Sequence, residues 1–148
     1  MRVFVALVRA HATATRQLNA QLLQDHGLTI NDYEVLLRLA RAPDSRMRRV
    51  DLAEQVLLTA SGITRLLDGL ERSGFVERAS CASDRRVVYA VLTTVGRDKL
   101  RDASKSHVAQ IEELFSARLD ESQQGAVASM LERVALEDAD LDCSPPEE

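Results

Sequence analysis

Two groups of side chains in this chain have the types and spacing to do chemistry. Ser61, Thr64, Arg65, Asp68 and Arg72 fall on one side of a segment whose other side carries Ile63, Leu66, Leu67 and Leu70. That spacing predicts an amphipathic helix with a buried apolar stripe and a polar outer face. Small hydroxyls allow close approach to a partner, and an arginine fork matches the two acceptors on the major-groove edge of guanine. The chemistry on offer is hydrogen bonding to a duplex. The second group is Asp84, Arg85 and Arg86, a charged turn between the β-rich segments 75–80 and 87–93. A basic hairpin directly after such a helix is the layout of a winged helix-turn-helix. An ordinary helix followed by a solvated hairpin is the plainer alternative.

Catalysis has little support. His11, His26 and His107 are scattered, with no HExxH, phosphate-loop or serine-elbow pattern. Cys81 and Cys143 lie far apart and lack metal-ligand spacing, which points to free thiols in a reducing compartment. No enzyme activity, metal or cofactor is expected. With two tyrosines, three phenylalanines and no tryptophan, the chain is poor in the rings that bind single strands by stacking. A duplex-reading helix needs none.

The net charge of -4 hides a division. Residues 1–45 hold five basic and four acidic side chains, and residues 46–101 hold eleven basic and seven acidic. Residues 102–148 hold three basic and twelve acidic. The basic excess therefore falls on the proposed reading head, and local field steers a ligand more than total charge does.

The positioning elements follow from periodicity and stop signals. A first helix is expected over residues 2–25, with Phe4, Leu7, Val8, Leu18 and Leu22 on one side and Gly27 at its end. Thr29 is a plausible N-cap for a second helix to about Ala42, where Pro43 prevents continuation. Residues 46–49 suit a short edge strand, and residues 50–57 a third helix with Leu52, Ala53 and Val56 inward. Thr59 is either the N-cap of the recognition helix or a contact, and Gly74 stops that helix. A long helix from Thr94 past Arg118 would bury Val108, Ile111, Leu114, Phe115 and Leu119. A last helix over residues 122–136 would use Val127, Met130, Leu131 and Val134. Three long amphipathic helices cannot all bury their stripes on one small winged domain. Interleaving with a second copy would cover them, though packing within one monomer is an alternative. The opening Arg2, residues 3–8 and Ala10-His11-Ala12 mimic a signal peptide, but the apolar core is short and ends at Arg9. A cytoplasmic protein is expected, with no membrane partner.

The run Leu28-Thr29-Ile30-Asn31-Asp32-Tyr33-Glu34-Val35-Leu36-Leu37-Arg38-Leu39, the helix and strand from Ser61 to Arg78, Asp84-x-Arg86, and Leu92-Thr93-Thr94-Val95-Gly96-Arg97 resemble the MarR family of bacterial transcription regulators. The matching motifs cover about residues 28 to 100, and their order and spacing are specific together. The resemblance implies a mainly α protein, a winged helix-turn-helix with terminal helices forming a dimerisation region. The ends match only in helical character and length, and the chain is expected to divide into a dimerisation helix over residues 1–28, a DNA-binding region over 29–100, dimerisation helices over 101–136 and an acidic tail over 137–148. The resemblance implies a sequence-specific DNA-binding regulator, a repressor released by a small-molecule effector, on a near-palindromic operator. A winged-helix interaction module without DNA binding is the alternative.

For single residues, the resemblance places Arg86 in the minor groove from the wing tip, with Asp84 aiming it through a charge-assisted hydrogen bond. Arg85 would touch a phosphate. Ser61, Thr64 and Arg65 would reach base edges or phosphates, and Arg46, Arg48 and Arg49 either flank the backbone or are solvated. Family effectors are small phenolic or carboxylate compounds between the dimer helices and the winged domain. His11, Arg16 and Tyr33 would suit a small aromatic acid there, or His11 is an interface residue and Tyr33 core. Cys81 stands near Arg78, Arg85 and Arg86 in sequence, but oxidant sensors of the family carry their cysteine near the amino terminus. A passive thiol is the reading for Cys81.

Overall fold

A computed structural model describes residues 1–80 and 87–134. The chain opens with a long helix, α1 (Arg2–His26), closed by Gly27 in the left-handed conformation at φ 67°. Helix α2 (Ile30–Arg41) starts from a capping box. The Thr29 hydroxyl accepts from the Asp32 amide at 3.1 Å, and the Asp32 carboxylate accepts from the Thr29 amide at 2.9 Å. Asn19 of α1 adds a further cap, its Oδ1 accepting from the Ile30 amide at 2.9 Å, so the first two helices are joined at their corner. Pro43 then forces a tight turn through residues 43–45 before strand β1 (Arg46–Arg48).

Helix α3 (Arg49–Gln55) is shorter than its expected span of residues 50–57. Leu57 has φ 53°, a left-handed conformation that ends the helical hydrogen bonding and turns the chain toward the next helix. Helix α4 (Ala60–Arg72) follows, capped by Thr59 and released by Gly74 at φ 73°. Strands β2 (Val76–Ser80) and β3 (Val88–Leu92) pair antiparallel, and β1 joins the far side of β3, giving the order β1-β3-β2. The middle strand keeps Ala90 and Leu92 buried toward the helices.

Helix α5 (Thr94–Ser116) ends before Arg118, short of the expected length. A new cap competes with its last turn. Asp120 and Gln123 form a second capping box that starts helix α6 (Glu121–Glu132), one residue earlier than expected. The end expected for this helix, and the acidic tail, lie outside the described residues.

The core lies where α2, α3, α4, the sheet and the first half of α5 converge. Leu36, Leu39, Leu52, Ile63 and Leu100 are essentially sealed from solvent. Truncating any of them to alanine would cost about 2 to 5 kcal/mol, the range for leucine or isoleucine in a packed core. The ends of the chain differ. Leu18 and Leu22 of α1 are buried, yet residues 1–13 are exposed throughout, including Phe4, Leu7 and Val8. Val127, Met130, Leu131 and Val134 are exposed too. Among the described residues no helix is long and apolar enough to cross a membrane.

Candidate nucleic-acid interface

The α3–α4 corner presents α4 outward by burying its other side. Ile63, Leu67 and Leu70 are in the core and Leu66 packs against it, which matches the expected stripe. Thr59 is the N-cap, its hydroxyl accepting from the Gly62 amide at 3.1 Å and lying 3.2 Å from the Ser61 hydroxyl. Ser61 and Arg65 are exposed, and Arg65 has no hydrogen-bond or ion-pair partner among the described residues.

The other polar groups on this helix are engaged. The Thr64 hydroxyl donates to the Ala60 carbonyl at 2.7 Å and accepts from Arg49 Nη1 at 3.2 Å. Arg72 donates back to the Asp68 carbonyl at 3.1 Å. Arg78 of β2 pairs with both Asp68 and Glu71, the latter at 3.0 Å. This brace ties the root of the hairpin to α4 and offsets two carboxylates that would otherwise face a polyanion. These pairings join residues ten and seven apart, and the sequence reading missed them.

The β1 arginines are also sorted by their partners. Arg48 makes two short bonds to Asp51, at 2.6 and 2.7 Å. Arg46 lies 3.2 Å from Asp44 and sits over the Tyr89 ring, 5.4 Å from its centre. Asp84, Arg85 and Arg86, the expected tip of the hairpin, lie outside the described residues, as does Cys81.

The three candidate effector residues are not brought together by any contact in the structure. His11 is exposed on α1, with Nε2 at 3.5 Å from the Thr15 hydroxyl, and Arg16 is exposed further along it. Tyr33 is buried. Its hydroxyl lies 3.1 Å from Ser104 Oγ, and its ring meets His107 edge to face with centres 4.6 Å apart. His107 is almost fully buried and its Nδ1 has no hydrogen-bond partner among the described residues. Burial, and second the nearby His26, hold its pKa below the ordinary 6.5. His26 in turn bonds the Ser106 hydroxyl at 2.7 Å and approaches Asp102 at 3.6 Å. Leu100, Ala103, Ser104 and His107 recur at helical spacing, so a buried stripe on α5 was legible there. The apolar run from Val108 drew attention away because its residues are larger. No group of three or more histidine, cysteine or carboxylate side chains among the described residues is placed to hold a metal ion.

A helix-turn-helix with a three-stranded sheet, a long helix leading in and two leading out defines a winged helix-turn-helix protein. Residues 28–88 match the model of the MarR family. The chain is 30% identical to the HTH-type transcriptional regulator MhqR of Bacillus subtilis strain 168 over 136 residues, covering 92% of this chain and 91% of that one. It resembles Sco3205, a MarR family transcriptional regulator from Streptomyces coelicolor solved in complex with DNA, with TM-score 0.81 and 29% identity over 95% of this chain and 91% of that one. AbsC, a second MarR family regulator from Streptomyces coelicolor, gives TM-score 0.74 and 33% identity over 87% of this chain and 89% of that one. The chain belongs to the MarR family.

Proposed function

We propose that this MarR-family chain is a cytoplasmic, sequence-specific DNA-binding transcriptional regulator that works as a homodimer. The observation that carries the reading is Arg65, an exposed arginine without a partner among the described residues, on a helix whose other cation and most other polar groups are engaged. A guanidinium without a described partner, on the first turns of a recognition helix, suits direct base readout, with Ser61 beside it. The hairpin of the same head, for which the sequence expects Asp84, Arg85 and Arg86 at the tip, would reach the adjacent minor groove. DNA bound to Sco3205 supports the same use of the fold. Nothing in the geometry favours the interaction module that does not bind DNA.

The dimer reading rests on the exposed apolar side chains of residues 1–28 and 101–134. Phe4, Val8, Met130 and Leu131 are uncovered in the single chain, and a second copy offers the same helices in return. Regulation in this reading is repression, released by a small aromatic or carboxylate effector between the dimer helices and the winged domain, where His11 and Arg16, exposed on α1, and the buried Tyr33 would share a ligand if the second copy completes the site. Such a ligand acts only by favouring the arrangement of heads that does not fit DNA. Selection of bound fragments from random duplex DNA tests the main reading. The expected product is a near-palindrome with half-sites about one helical turn apart. Failure to enrich any duplex would reject it.

A further inference from the structure

A small cleft of about 60 Å³ separates α4 from the sheet, lined among others by Arg49, Thr64, Arg78, Val88 and Tyr89. Its cations differ in their partners. Arg78 is held by Asp68 and Glu71. Arg49 has no carboxylate partner among the described residues and bonds only the Thr64 hydroxyl. Thr64 sends its own proton to Ala60, so its oxygen is left as an acceptor aimed at Arg49. One edge of the guanidinium is thereby fixed against α4, and the rest of its donor fork stays open.

The position of the cleft says what the open edge would meet. With the recognition helix in a major groove and the hairpin in the next minor groove, the sugar–phosphate strand between those grooves must cross the gap between α4 and the sheet. We propose that Arg49 is a phosphate-binding residue at this crossing, and that Thr64 positions it. The proposal rests on the DNA-binding reading above and adds a contact from α3 that is separate from base readout. A guanidinium on a phosphate contributes affinity and register but no sequence information. In this account Thr64 acts through Arg49, which accounts for a hydroxyl engaged on both sides.

The test measures binding of the full chain to the selected duplex and to a random duplex of equal length, by fluorescence anisotropy across a salt series. Arg49→Ala should weaken both duplexes by a similar factor, about tenfold. It should also reduce the slope of log affinity against log salt by about one unit. Arg49→Gln, which keeps a donor for Thr64 but no charge, should lose the same slope. Arg49→Lys should retain it. Thr64→Val should weaken binding in the wild-type background and have no effect in the Arg49→Ala background, and Thr64→Ser should restore it. An unchanged slope in both Arg49→Ala and Arg49→Gln, or a loss confined to the selected duplex, overturns the phosphate contact while leaving the DNA-binding reading intact. A wild-type chain that binds neither duplex overturns both.

Discussion

Gly96, in the first turn of α5, lies so close to Phe75 that a Cβ built on it would come within 2.0 Å of the Phe75 carbonyl oxygen. Only a residue without a side chain fits this contact. Thr93 closes the same joint from the other side, its hydroxyl donating to the Gly74 carbonyl at 2.7 Å and its amide to the Phe75 carbonyl at 3.1 Å. The start of α5 is thus fastened to the end of the recognition helix and the root of the hairpin.

Gly96→Ala should therefore destabilise the protein by about 1 to 3 kcal/mol, the cost of forcing extra volume into a packed site. The obstacle is a carbonyl oxygen, which cannot swing aside as a flexible side chain can. Urea unfolding of the variant beside Gly125→Ala, at a glycine with open space around it, provides the measurement. Equal stability of the two variants would show that the joint yields easily.

Arg65→Ala should lower affinity for the selected site by about 1 to 3 kcal/mol while changing binding to random duplex much less, since the lost contact is to a base. Arg85→Ala, at the expected hairpin tip, should weaken both duplexes and reduce the salt slope by about one unit. Titrations on paired duplexes separate the two behaviours. An equal loss on both for Arg65→Ala would remove its role in sequence reading.

Stability should fall as the solution is acidified through the histidine range. Burial holds the folded-state pKa of His107 below 6.5, so between that depressed value and 6.5 the unfolded chain binds more protons than the folded one. The stabilisation is complete above about 6.5 and is lost as pH falls toward the folded value. His107→Phe should flatten this part of the profile, because it keeps an aromatic ring against Tyr33 and removes the titrating group. Denaturant midpoints across this range compare the two, and an unchanged slope in the variant would assign the effect to other groups.

At micromolar concentration sedimentation equilibrium should return about twice the 16.4 kDa chain mass. Placing glutamate at Met130 and Leu131 together should shift the mass toward that of one chain, since both side chains are exposed in the single subunit and would be covered in the pair. The same variant should lose affinity for a two-half-site operator more than for a single half-site, because linked heads gain from each other's binding. A double variant that stays dimeric would place the interface elsewhere.

The sequence by itself determined what lies within about one helical turn. Gly27 and Gly74 end helices because they tolerate left-handed backbone, and Thr29 begins one because Asp32 stands three residues on to complete the box. The stripe Ile63, Leu67 and Leu70 marked the buried side of α4, and with it the exposed side where Ser61 and Arg65 stand. The length of α5 was less legible, since its apolar residues run on past Ser116 and only the Asp120 cap shows where the next helix begins. Tertiary structure alone decided which charged and polar groups are free. Arg49 reaches Thr64 across fifteen residues, Arg78 reaches Asp68 across ten, and Tyr33 reaches Ser104 across seventy-one. Periodicity reports which way a side chain points from its own helix. It carries no information on what another element brings to meet it, because that depends on how the helices and the sheet pack.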